Sequence, residues 1–198
     1  MGVDIERINV DLFKGESHTP EFLKLNPPRP DAGASGRRYR HLGGVGDQPL
    51  SRRKTSPDSN LLGRTEAERF KILQWMFWSG EQWRVFSTIL FNEWAGKTLA
   101  GKPPTDAVVE LAMSNIRNAA MVLDAHLASR KFIVGDALTL ADIDIAAPFS
   151  QYQRTGAPFN EFPNLMAWQQ RLLDTVPAWA ATRDEVEARM SGVLDDLG

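Results

Sequence analysis

The chain has 198 residues, 42% of them hydrophobic and 24% charged, with a formal net charge of −2. That is enough length and apolar content for one buried core or two small ones, and it excludes a chain too polar to fold. With no cysteine, disulfide frameworks, zinc knuckles and thiol nucleophiles are excluded, and a reducing, cytoplasmic setting is expected.

In chain order, "MGVDIERINVDLFKGE" carries no basic stretch followed by an apolar block, and no apolar run of membrane length follows, so neither export nor a membrane partner is expected. Within it, Ile8, Val10 and Leu12 alternate with polar residues, the period of a half-buried strand over Glu6 to Leu12. In "GESHTPEFLKLNP" Thr19 is placed to cap a helix and Pro20 falls at its first position, where a missing N–H leaves nothing unpaired. Asn26-Pro27 ends that helix, because a residue before proline is pushed out of the α region.

The stretch from Pro28 to Lys54 breaks the pattern. It holds six Arg and one Lys against two Asp, a charge of +5, while the rest of the chain carries −7. Too little apolar surface is present to offset chain entropy, so a poorly ordered segment over residues 28–60 is expected. A nucleic-acid-binding arm would interleave aromatics with its arginines, and Tyr39 is the one aromatic here, so no nucleic-acid partner is expected. "GRRYR" and "LGGVGDQ" lack the glycine spacing and the terminal Lys-Ser/Thr of a phosphate loop.

From Arg64 the pattern is helical. Thr65 and Glu68 have capping-box spacing at the head of "RTEAERFKILQWMFWSGEQWRVFSTILFNEWAGK", and Gly96 is the expected stop. Val108, Leu111, Ala112, Ile116, Ala119, Val122, Leu123 and Leu127 recur at helical spacing, which predicts a second helix from about Asp106 to Ala128. In "DALTLADIDIAA" Thr139 and Asp142 form another capping box, with Asp in place of Glu or Gln, and Leu138 and Ile143 are set for a hydrophobic staple. "FPNLMAWQQRLLDTVPAW" and "TRDEVEARMSGVLDDL" complete a helical half.

Taken together, "VDLFKGESHTPEFLKLNP", "LTLADIDIA" and "FPNLMAWQQRLLDTVPAW" resemble the glutathione transferase family over roughly residues 3–27 and 58–180. The resemblance implies a mostly α chain. An intact all-helical C-terminal domain over residues 61–198 would follow an incomplete thioredoxin-like βα remnant over residues 1–27. It also implies glutathione as co-substrate with no prosthetic cofactor, a small hydrophobic electrophile as second substrate, and a homodimer or less specific self-association.

The same resemblance marks two departures. The strand and helix that carry the family's thiol-activating residue would precede this chain's first residues, so the catalytic residue is unassigned and an N-terminal truncation is expected. Pro28 to Lys54 stands where the family has a cis-proline strand pair and the helix that holds the γ-glutamyl carboxylate. Synonymous codons exist for Arg29 to Lys54 that, read one base later, give "GQMPVLQDGDTVIWEASAINRYLAE" without a stop. Two compensating frameshifts, real or errors of sequencing, are the expected origin of the stretch, a selected flexible linker being the other reading, and weak or absent activity is the expectation.

Among candidate site residues, His18 lies beside the position where the resembling family often places a basic residue for the glycine carboxylate of glutathione; a solvated histidine beside a helix cap is the other reading. Trp75, Trp78, Gln82 and Trp83 lie at one-turn spacings on the first long helix. By resemblance they face a hydrophobic co-substrate, with Gln82 as the polar contact. An aromatic stripe at that spacing is equally a core face, or a face left uncovered that favours association. His18, His41 and His126 have no carboxylates at ligand spacing, so no metal site is expected.

Overall fold

The computed structural model describes residue 10, residues 15–25 and residues 59–195. The chain divides into two units, Met1–Ser59 and Asn60–Gly198. The strand expected over Glu6 to Leu12, apart from Val10, lies outside the described residues, as do the Asn26-Pro27 stop, the whole of Pro28 to Lys54 with His41, and residues 196–198.

In the first unit a 3-10 turn, Glu16–His18, leads into helix α1, Pro20–Leu25. Thr19 caps it as expected. Its hydroxyl donates to the Glu16 carbonyl at 3.0 Å and accepts from the Phe22 amide at 3.3 Å, with proline supplying the first helical residue.

The second unit is helical in every regular element the structure describes. Helix α2, Glu66–Trp78, starts at the predicted capping box: the Glu68 amide donates to Thr65 Oγ1 at 3.1 Å and the Thr65 amide to Glu68 Oε2 at 3.2 Å. The Arg64 amide donates to the same carboxylate at 2.6 Å, and these amides hold the Glu68 carboxyl below its ordinary pKa.

Gly96 does not end the run. It sits at φ −63°, ψ −41°, inside a helical path that passes through a π turn (Ser79–Arg84), α3 (Val85–Phe91), a second π turn (Asn92–Gly96) and α4 (Lys97–Leu99). The chain leaves the helix at Gly101, φ 64°, whose amide donates to the Thr98 carbonyl at 3.0 Å. A glycine stops a helix only where the left-handed region is needed. At Gly96 the following turn is held by the Glu93–Lys97 ion pair, 2.6 Å, and by the Thr105 amide, which donates to Glu93 Oε2 at 2.7 Å.

Helix α5, Asp106–Leu127, matches the predicted span and buries Ala112, Ile116, Ala119, Ala120, Leu123 and Leu127. Leu111 and Val122 were expected on that face and are exposed. Each lies one residue, about 100° of turn, from a buried neighbour, which places it on the flank of the seam.

Helix α6, Leu140–Ala146, is buried along nearly its whole length. A 3-10 turn (Ala147–Ser150), α7 (Tyr152–Thr155) and a further 3-10 turn (Phe159–Glu161) connect it to α8, Pro163–Thr175, and α9, Pro177–Asp195. Asp124 of α5 caps α8 from outside, its Oδ1 accepting from the Asn164 and Leu165 amides at 2.7 and 3.0 Å. The core sits where α2, the first π turn, α5, α6 and α8 meet, around Trp83, Phe159, Trp168, Ile116 and Leu165, all without solvent exposure. No described helix is long and apolar enough to cross a membrane.

Candidate functional site

The first long helix carries the four predicted site residues, and the structure separates them. Trp75 is half-buried, its ring edge-on to Trp78 at 5.2 Å and 80°. Gln82, one turn beyond Trp78, is exposed. Trp83 is fully buried, donates from Nε1 to the Ile145 carbonyl at 2.8 Å, and stacks on Phe159 at 4.7 Å. Trp75, Trp78 and Gln82 therefore share accessible surface, and Trp83 belongs to the core.

Gln82 and Trp83 lie in the π turn, a feature enriched at functional sites in helices. Arg84 in the same turn approaches buried Asp144 of α6, Nε to Oδ2 at 3.3 Å, at an angle that makes it an ion pair and not a hydrogen bond. Burial raises the Asp144 carboxyl from its ordinary pKa. This pairing ties the distorted turn to the buried helix.

His126, which spacing left without a role, meets Trp75: the rings lie 4.6 Å apart, tilted by 52°. Its Nε2 lies 2.8 Å from the Ile133 carbonyl; a carbonyl only accepts, so Nε2 carries the hydrogen. The Ile133 amide in turn donates to Asp142 Oδ1 at 2.8 Å. Trp75 and His126 are 51 positions apart in the chain, and no local pattern signals their contact.

Asp142 is the most densely bonded polar group among the described residues. Its Oδ1 also accepts from Trp168 Nε1 at 3.2 Å, and its Oδ2 accepts from both the amide and the hydroxyl of Thr139 at 2.9 Å. The capping box is thus present and extended by two long-range donors. Burial pushes the Asp142 carboxyl upward, and the bonds from Ile133, Thr139 and Trp168 oppose that push.

His18 lies in the first unit, exposed, its amide closing the 3-10 turn onto the Gly15 carbonyl at 2.9 Å. Among the described residues no group of three or more His, Cys, Asp or Glu is placed to hold a metal.

Residues 92–175, which include α5, the Thr139–Asp142 box and α8, match the family model described as glutathione S-transferase, C-terminal domain. Glutathione S-transferase 3 of Zea mays is 30% identical over 146 residues, 73% of this chain and 65% of that protein. Glutathione S-transferase F10 of Arabidopsis thaliana is 26% identical over 152 residues, 76% of this chain and 70% of that one. The chain resembles glutathione S-transferases over 73–76% of its length, and the family model for their C-terminal domain matches its helical second unit. The solved structure of glutathione S-transferase I from mais in complex with an atrazine glutathione conjugate covers 94% of this chain and 87% of that one, at 19% identity and a TM-score of 0.74. That likeness shows a shared fold. The co-substrate of glutathione S-transferases is glutathione, with no prosthetic cofactor. The matched residues include the fully buried Asp142, and the core also draws on Ile72, Met76, Trp83 and Leu90, which precede them.

Proposed function

We propose that this glutathione S-transferase relative presents the hydrophobic-electrophile surface of its helical domain on Trp75, Trp78 and Gln82, and that in the cytoplasm it conjugates glutathione weakly or not at all. The observation that carries this reading is the stretch Pro28 to Lys54, whose Arg, Gly and Pro stand where the family-like sequence on either side is interrupted. The proposed phase shift accounts for it. Conjugation needs the thiolate held and stabilised beside the electrophile, and proximity supplies much of the rate. In the resembling family the γ-glutamyl carboxylate is held by sequence that Pro28 to Lys54 replaces here, so the electrophile surface lacks the partner that brings the thiolate to it. His18 is the remaining candidate contact for the glycine carboxylate.

The full chain should show glutathione–chlorodinitrobenzene turnover indistinguishable from the blank and no retention on immobilised glutathione. A variant carrying "GQMPVLQDGDTVIWEASAINRYLAE" in place of the matching stretch should be retained. Robust turnover by the unaltered chain refutes the proposal.

A second reading, a non-catalytic helical interaction module, is favoured by one feature of α2. Phe70, Leu73 and Phe77 are 73%, 39% and 64% exposed and recur at three and four residues along one face. Solvent-facing apolar stripes of this kind mark association surfaces. Size exclusion is expected to show self-association that Phe70→Glu with Phe77→Glu abolishes; a monomeric parent chain counts against the module.

A further inference from the structure

The ring of His126, in the last turn of α5, reaches Trp75 on α2 with centroids 4.6 Å apart. Trp78 meets the same indole edge-on at 5.2 Å. Among the described residues these two rings are the aromatic neighbours of Trp75, which is half-buried. Trp78 stands three residues further on the same helix and moves with it, whereas His126 is fixed from another part of the chain. A side chain half in solvent keeps a choice of rotamers unless a group outside its own helix confines it.

His126 is itself held. Its Nε2–H donates to the Ile133 carbonyl at 2.8 Å, and the amide of the same residue donates to Asp142 Oδ1 at 2.8 Å. Ile133 lies within residues 128–139, which form no helix, so its place is set by these two bonds and by burial of its side chain, 2% exposed. Contacts therefore run without a break from the buried carboxylate, through one residue's amide and carbonyl, to an imidazole and on to an indole of the accessible surface. The two parts of the imidazole do separate things. The ring confines Trp75, and the N–H satisfies a carbonyl.

We propose, on the reading of Trp75, Trp78 and Gln82 as the electrophile surface, that His126 is a positioning residue for that surface: its ring holds the Trp75 indole against Trp78 and so sets the aromatic wall that a flat co-substrate meets. His126 does this without touching the co-substrate. An aromatic pair is worth about two- to tenfold in an equilibrium constant, and ordering the indole in advance removes that cost from binding.

The test titrates the full chain with 2,4-dinitrotoluene, a nitroaromatic with no leaving group, and follows the indole N–H resonances of the six tryptophans. The Trp75 and Trp78 signals are those lost in Trp75→Phe and Trp78→Phe, and saturable shifts of both are expected in the parent chain. His126→Gln removes the ring and keeps an N–H donor of similar reach, so it should bind about fivefold more weakly with a urea midpoint close to the parent's. His126→Phe keeps a ring and leaves the Ile133 carbonyl without its donor, so it should bind within about twofold of the parent while unfolding at lower urea. A histidine that only supported the fold would lower affinity and stability together. Parent-like affinity in His126→Gln, or affinity that falls in step with the urea midpoint in both variants, overturns the positioning role. No saturable shift of Trp75 or Trp78 in the parent chain overturns the surface reading itself, and the positioning role with it.

Discussion

Asp142→Ala is expected to destabilise the chain by about 4 kcal/mol or more, enough to lower its melting temperature by roughly 10 °C. The substitution removes the acceptor of four donors at once: the Ile133 and Thr139 amides, the Thr139 hydroxyl and Trp168 Nε1. All four are buried, and each unpaired donor costs about 1–3 kcal/mol. Asp142→Asn keeps one oxygen and turns an NH₂ toward the other pair of donors, so it should fall between parent and Ala. Thr139→Ala removes one hydroxyl donor and the cap, about 1 kcal/mol.

The upward pKa of Asp142 fixes the sign of a pH effect. The folded chain holds its proton more tightly than the unfolded chain, so this group favours folding below the ordinary carboxylate pKa, and that contribution disappears as pH rises through the folded value. Asp142→Asn should lack this acid-side slope in urea titrations followed by tryptophan fluorescence. An Asn variant as stable as the parent at neutral pH would show that the carboxylate is not the acceptor described.

Trp83→Ala is expected to cost about 3–5 kcal/mol, the range for deleting a large aromatic from a packed core. The ring is fully enclosed, stacked on Phe159, and bonded to the Ile145 carbonyl at 2.8 Å. Trp83→Phe retains most of the ring packing and leaves that carbonyl without its donor, which isolates about 1–3 kcal/mol for the bond. Trp75→Ala, at a half-buried site against Trp78 and His126, should cost distinctly less. Equal costs at positions 75 and 83 would return Trp83 to the accessible surface.

The contrast between these two tryptophans measures what was legible in the chain. Spacing placed both on one helix, and one-turn spacing made them equivalent. What distinguishes them is the partner: Phe159 and Ile145 for one ring, His126 for the other, each supplied from far along the chain. The π turn at Ser79–Arg84 was not legible either, because hydrophobic periodicity in a short window does not separate one π turn from a helical one. The misplaced stop at Gly96 has the same origin. Glycine permits a stop, and the Glu93 contacts to Lys97 and the Thr105 amide, made after the chain turns back, decide that the helix continues.

Local sequence was sufficient for the helical character of the second unit, the boxes at Thr65 and Thr139, the span of α5 and the family resemblance. Each depends on residues within a few turns of one another, where side-chain type and spacing set which backbone groups are satisfied. The tertiary structure alone decided that Asp142 gathers donors from Ile133 and Trp168, that His126 meets Trp75, and that Asp124 of α5 caps α8. These contacts depend on which helix faces which, and that is settled by the packing of the whole core.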